Sequence, residues 1–316
     1  MDDLQVIKLV FMSVERRPSH ELPSIPQLAA LVAVIDEGGF DAAAYALRVS
    51  TSAISQRIRA LETTMGHVLV VRSTPPRATT AGEAVLATAR QVTALVDTLA
   101  PAAEAPARTL LPVAVGADAL GTWLTDVIAE SAGWDDVLLR VRVEDQDIGH
   151  QALARGDVLA ALSSLPTAQT GCTATPLGRM RYVPVVSESL AARHLTPEGG
   201  LDLTTCPVVT FGAADELQHR VLRAWCEEND IEADPPAHMI GEQHGFLTGL
   251  RAGLGWGCVH ELLLAQLPEV GDLVRIPGLP MLDVDLHWHR WAMELPALDR
   301  LSMAVEAAAE RHLLPF

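Results

Sequence analysis

The chain has 316 residues, 49% hydrophobic but only 4% aromatic, and a net charge of −17 from 23 basic and 40 acidic residues. That length holds two or three compact units, and no apolar run reaches the roughly 18 residues of a membrane-spanning helix. The four cysteines (Cys172, Cys206, Cys226 and Cys258) lie far apart, which argues against a disulfide frame and for reduced thiols in a cytoplasmic protein. Charge is unevenly shared: residues 23–90 carry six arginines against five acids, a net +1, while residues 91–316 carry −17. An acidic body confines any nucleic-acid contact to the amino-terminal head. One lysine, Lys8, beside 22 arginines reads as a coding bias.

Residues 1–22 carry no motif and read as a loose extension, with Met12 as a second candidate start and no signal-peptide pattern. Leu28, Leu31, Val32 and Ile35 mark a first amphipathic helix that stops at Gly38-Gly39. Asp41 is placed to cap a short second helix, and a third runs from Thr51 to Met65. On that third helix Ile54, Ile58, Leu61 and Met65 form one apolar stripe, and Ser52, Ser55, Gln56 and Arg59 form a polar stripe opposite. The polar stripe holds hydroxyls, an amide and a guanidinium but no carboxylate, a set that donates to base edges and phosphates without repelling them. Taken alone the helix reads as an ordinary surface helix; its neighbours change that. Three short helices followed by VLVVR and the stiff loop STPPRATT describe a winged helix-turn-helix, with Arg72 and Arg77 flanking Pro75-Pro76 in the wing.

Thr80-Ala81-Gly82-Glu83 has a capping-box pattern. Val85, Val92, Val96 and Leu99 then recur at heptad-like spacing, fitting a helix that pairs with its twin or one packed on its own domain. The Ala/Pro-rich hinge directly after it favours the dimer seam. Beyond Leu110 strands and helices alternate as in βαβ units: LLPVAVGAD, VLLRVRVED and VLAALSS, then RYVPVVSES, PVVTFG, a helix from Glu216, HMIGEQHG, GWGCVH, LVRIPG, DVDLHWHRW and a closing helix from Pro296. Two small α/β units joined by crossing strands predict a clam-shell with a ligand cleft.

The run from Leu28 to Glu83, LAALVAVIDEGGFDAAAYALRVSTSAISQRIRALETTMGHVLVVR through TTAGE, resembles the LysR-type transcriptional regulators. Segments of the body, among them AVGADALGTWL, VRVEDQD, ARGDVLAALSS, RAGLGWG and LHWHRW, are similar to the LysG/ArgP subgroup, which senses basic amino acids and governs their export. The resemblance implies an α/β protein: an amino-terminal winged helix-turn-helix and linker helix, then a two-subdomain, periplasmic-binding-protein-like effector domain. Its expected boundaries are 1–22 for the extension, 23–80 for the DNA-binding domain, 81–107 for the linker and dimerisation helix, and 108–316 for the effector domain. Within the last, subdomain I takes about 111–183 and 281–316 and subdomain II about 184–280.

The same resemblance implies that Thr51, Ser52, Ser55, Gln56 and Arg59 face double-stranded DNA at an operator, with Arg72 and Arg77 in the wing. It further implies a homodimer through the linker helix, pairing again into a tetramer, with RNA polymerase as a further partner. The positions matching the effector loops are Asp118, Glu144, Asp145, Ser163, Phe211 and His244. Gly116-Ala117-Asp118 precedes a helix whose backbone N–H groups suit an α-carboxylate, and Asp118, Glu144 and Asp145 suit a cationic side chain such as that of lysine or arginine. On spacing alone these acids read as solvated loop carboxylates.

Three departures from the family pattern stand out. Gly116 replaces an asparagine, His244 replaces a carboxylate and so weakens selection for a cation, and Gly39 replaces a serine cap.

His287 and His289 share a strand face without a third ligand and read as packing, and Gly253 to Gly257 precedes a strand, so it is no dinucleotide fingerprint. With no Gly-x-Ser-x-Gly, P-loop or zinc-protease motif, the sequence predicts no enzyme, cofactor or metal. A cytosolic solute-binding module, a regulator of a non-basic amino acid and a cytosolic enzyme are the competing readings.

Overall fold

A computed structural model describes residues 22–97, 108–144, 149–196, 199–212, 215–266 and 273–316. The amino-terminal extension, Leu99, the hinge and Asp145 lie outside the described residues. The chain divides into two compact units, residues 1–96 and 97–316.

In the first unit, α1 (Ile25–Asp36) has Pro26 in its first turn, and the Ser24 backbone N–H donates to Gln27 Oε1 at 2.7 Å. Helix α2 (Phe40–Ala46) starts from Gly39, so Asp41 lies inside the first turn and not at the cap predicted for it. Its carboxylate instead accepts from the Thr51 hydroxyl at 2.7 Å, tying α2 to α3 (Thr51–Met65). Ser50 caps α3 by accepting from the Ala53 N–H, and Gly66 ends it at φ 71°, a left-handed geometry that glycine adopts without strain. Ile54, Ile58 and Leu61 are buried in one cluster with Leu31, Val34 and Ala43. Truncating any of those three to Ala costs about 2–5 kcal/mol.

Val70–Val71 (β1) and Arg77–Ala78 (β2) pair antiparallel as the wing. Helix α4 (Thr80–Asp97) is capped one residue earlier than its sequence pattern suggests. Thr79 Oγ1 accepts from the Gly82 N–H at 3.0 Å and donates to the Val68 carbonyl at 2.7 Å. Gly82 sits so close to the wing that a Cβ there would lie 2.0 Å from the Leu69 carbonyl oxygen. Of the heptad-like valines, Val85 and Val92 pack against the unit's own core beside Leu86 and Ala89. The apolar stripe thus serves the head first, because its helix lies along the cluster formed by α1 and α3.

The second unit begins with β3 (Thr109–Val115), α5 (Ala117–Leu120), α6 (Thr125–Ser131), β4 (Val137–Val143), α7 (Gly149–Ala154) and β5 (Ala160–Ser163). Strands β4 and β5 flank β3, all parallel, as the βαβ pattern requires. The run RYVPVVSES is the end of a longer strand, β6 (Cys172–Ser187), followed by α8 (Glu188–Ala191), β7 (Val208–Thr210) and α9 (Leu217–Asn229). HMIGEQHG spans two elements. It divides into β8 (Ala237–Met239) and the start of α10 (Gln243–Arg251), because the Glu242 carboxylate accepts the His244 and Gly245 N–H groups and turns the chain into a helix.

The chain closes with β9 (Gly257–His260), α11 (Glu261–Gln266), β10 (Leu273–Arg275), β11 (Leu282–Trp291) and α12 (Pro296–His312). Among the described residues one sheet has the order β10-β6-β11-β5-β3-β4, with β9 also on β6. Residues 172–182 of β6 pair with β11 in one lobe, and residues 182–187 pair with β9 and β10 in the other. Strand β6 therefore belongs to both lobes. Each lobe packs its own apolar centre. The Trp288 indole N–H donates to Ser302 on α12 at 3.0 Å, while Phe246, Leu250, Val209 and Val259 cluster in the second lobe.

Candidate functional site

The head presents its polar stripe outward. Thr51, Ser52, Gln56 and Arg59 are exposed and Ser55 is half-buried, while the apolar face of the same helix fills the core. The Thr51 hydroxyl is engaged by Asp41, and Ser52 Oγ lies 2.9 Å from Ser50 Oγ, so both are oriented by neighbours before any partner arrives. Arg77 is exposed on β2. Arg72, just past β1, holds its guanidinium 5.4 Å from the centre of the Phe40 ring, a cation–π contact that sets its direction.

In the second unit a cavity of about 540 Å³ opens between the ends of β3 and β4 on one side and α9 and α10 on the other. Its size suits a small polar ligand. Gly116, Asp118, Glu144 and Phe211 line it. Tyr182, only 2% exposed, donates its hydroxyl to Asp118 Oδ2 at 2.9 Å, fixing that carboxylate at the rim. A Cβ at Gly116 would meet nothing nearer than the Glu144 carbonyl at 4.0 Å, so the glycine leaves room beside Glu144.

Two expected residues do not reach the cavity. Ser163 is wholly buried, and its Oγ accepts from the Leu165 N–H at 3.2 Å; its neighbour Ser164 lines the cavity instead. Successive strand residues point to opposite faces, and the sequence fixes the strand end less finely than that alternation demands. His244 is exposed on the first turn of α10, and Gln243 and Phe246 of the same helix line the cavity in its place. The position implied by the family resemblance thus falls on the outer side of this helix. The imidazole that seemed to weaken cation selection stands outside the cleft.

Sequence reasoning missed Asp215, Gln218, Arg220 and His260, all of which line the cavity. Asp215 lies where the loop meets α9, and its two oxygens accept the Phe211 and Leu217 N–H groups at 2.8 and 3.1 Å. Asp283 is paired with Arg181 at 2.7 and 2.8 Å, and that guanidinium holds its carboxyl below the usual carboxylate range. Burial pushes the His260 imidazole down to about 4, so the ring is neutral near pH 7. Among the described lining residues six carboxylates (Asp118, Glu144, Asp215, Glu216, Asp283 and Asp285) face one guanidinium, Arg220. Such a lining attracts a cation, with one site for a carboxylate.

Elsewhere His289 is buried with Nε2 2.7 Å from the Leu165 carbonyl, a packing role. Among the described residues no group of His, Cys, Asp and Glu could hold a metal ion, and no helix is long and apolar enough to cross a membrane.

A winged helix-turn-helix and a cleft-bearing α/β body on one chain define the class of helix-turn-helix regulators with a ligand-binding domain. Comparison with known proteins makes this specific. The chain belongs to the LysR family: residues 25–83 match the bacterial regulatory helix-turn-helix protein, lysR family, and residues 105–311 match the LysR substrate binding domain. It is 37% identical over 295 residues to the lysine export transcriptional regulatory protein LysG of Corynebacterium glutamicum, covering 92% of this chain and 99% of that one. The crystal structure of ArgP from Mycobacterium tuberculosis is similar with a TM-score of 0.80 and 38% identity, covering 93% of this chain and 99% of ArgP. Full-length Corynebacterium glutamicum LysG with bound effector Arg is similar with a TM-score of 0.73 and 34% identity, covering 92% of this chain and all of that one.

Proposed function

We propose that this chain is a transcriptional regulator whose cleft takes a basic amino acid, lysine or arginine, and whose head binds operator DNA near a gene for amino-acid export. The acidic lining of the cavity carries the reading: Asp118, ordered by Tyr182, and Glu144 receive the cationic side chain. Arg220 receives the α-carboxylate. The relatives named for lysine export and for ArgP, and the LysG structure with bound arginine, support the same ligand class.

In this reading Thr51, Ser52, Ser55, Gln56 and Arg59 enter the major groove, and Arg72 and Arg77 meet the backbone or minor groove. The protein works in the cytoplasm without catalytic turnover, and dimerises through residues 81–107. A tetramer and contact with RNA polymerase complete the assembly. Ligand that binds one lobe arrangement better than another shifts the balance between them and so alters promoter engagement.

A thermal-shift screen across the amino acids tests this reading. A ligand at a hundred times its Kd adds about 2.7 kcal/mol of stability, a clear rise in the midpoint. Stabilisation by lysine or arginine is expected; stabilisation confined to neutral or acidic amino acids overturns it.

A further inference from the structure

Three cavity-lining side chains, Gln218, Gln243 and His260, bury a polar atom that nothing among the described residues hydrogen-bonds, and of these only Gln218 shares a helix with Arg220. Gln218, in the first turn of α9, is 98% buried, yet nothing among the described residues hydrogen-bonds its Oε1. A sealed, unpaired amide oxygen destabilises the protein that carries it, and a leucine of similar size would fill the same space without that cost. Such an atom is explained when its partner is a ligand. Arg220, which also lines the cavity, is the guanidinium of the lining and marks where a carboxylate sits. In a free amino acid the α-ammonium is attached to the carbon that bears that carboxylate. A carbonyl oxygen accepts from an ammonium without adding another negative charge beside Asp215 and Glu216.

We propose that Gln218 is a specificity-determining residue whose amide oxygen accepts a hydrogen bond from the α-ammonium of the bound amino acid. The inference rests on the basic-amino-acid reading given above. It orients the ligand: the α-end lies against α9, and the cationic end lies against Asp118 and Glu144 on the other lobe. Gln218 thereby separates an amino acid from a simple cation or a guanidino acid of equal length.

The test is calorimetric titration of the full chain with L-arginine and with 5-guanidinopentanoate, which keeps the carboxylate and guanidinium but lacks the α-ammonium. The wild-type protein is expected to bind arginine at least tenfold more tightly. Gln218→Leu is expected to weaken arginine by tenfold or more, to leave 5-guanidinopentanoate within about threefold, and to raise the unliganded melting midpoint. That last change is opposite to what a structural glutamine would give. Gln218→Met, which also lacks the acceptor oxygen, should repeat the pattern if the leucine variant folds poorly. Equal losses for both ligands, or arginine affinity unchanged in the variants, overturn the assignment of Gln218 alone. A wild-type protein that binds neither arginine nor lysine overturns the proposed function and this inference with it.

Discussion

Tyr182 on β6 donates its hydroxyl to Asp118 on α5 across 2.9 Å, so a core residue of the shared strand aims a carboxylate at the ligand cavity. A hydrogen bond to a charged group contributes about 1.5–3 kcal/mol. Tyr182→Phe should therefore weaken arginine binding roughly 10- to 100-fold by calorimetry while the protein stays folded. Asp118→Asn should lose at least as much, because it removes the charge itself. An unchanged affinity in Tyr182→Phe would show that Asp118 needs no help to point inward.

Gly121 and Gln243 should be energetically coupled. A Cβ at Gly121 would come within 2.3 Å of Gln243 Oε1, so Gly121→Ala must push that amide out of the cavity wall. The obstacle is the tip of a flexible side chain, which keeps the cost to folding small. In a double-mutant cycle on arginine affinity, Gly121→Ala should be harmful with Gln243 present and near neutral after Gln243→Ala. Contacting residues give coupling energies of about 0.5–3 kcal/mol, and strictly additive effects would refute the contact.

Acid should destabilise the fold through His260. The unfolded ring takes up a proton near pH 6.5, whereas the folded ring resists until about 4. Its contribution is complete above the unfolded value and is lost as pH falls between these limits, by about 3 kcal/mol in all. His287 and His289, also pushed down by burial, act in the same direction. Urea titrations from pH 7 to pH 4.5 should show this slope, and His260→Gln should flatten it. A slope untouched by that substitution would assign the acid sensitivity elsewhere.

The turn between α2 and α3 stores strain. Arg48 adopts φ 54°, the left-handed region that an arginine enters at a cost of about 1–2 kcal/mol. Arg48→Asn should stabilise the head by about 0.5–1 kcal/mol in thermal unfolding, since asparagine tolerates that geometry better. A loss of stability would mean that the arginine side chain makes compensating contacts.

On DNA, Arg59→Ala should erode preference between operator variants, while Arg72→Ala should weaken all duplexes alike and reduce the salt slope by about one. Gel-shift titrations over a range of salt concentrations separate the two effects. Identical behaviour of both variants would abolish the division between groove reading and backbone contact.

Much of this molecule is legible in its sequence. The Thr51–Met65 helix, its buried and exposed stripes, the wing and the alternation of the body all follow from periodicity and turn chemistry, which are local. The cavity was half legible. Asp118, Glu144 and Phe211 sit where strand ends must deliver them, but Ser163 and His244 each missed by one position. A strand reverses its facing at every residue and a helix at every second or third, so a one-residue error in where an element begins swaps inside for outside. Gln218 and His260 left no trace in the pattern at all. Their burial is created by elements far away in the chain, and only tertiary packing brings them to the cavity wall.

Because β6 supplies hydrogen-bond partners to β11 in one lobe and to β9 and β10 in the other, the two lobes share a backbone that neither can give up. Loss of either half of that strand unzips the sheet of both, so the body should melt as a single cooperative block and neither lobe should survive expression alone. Scanning calorimetry of the body would reveal one endotherm; two resolved endotherms would mean that the halves come apart independently.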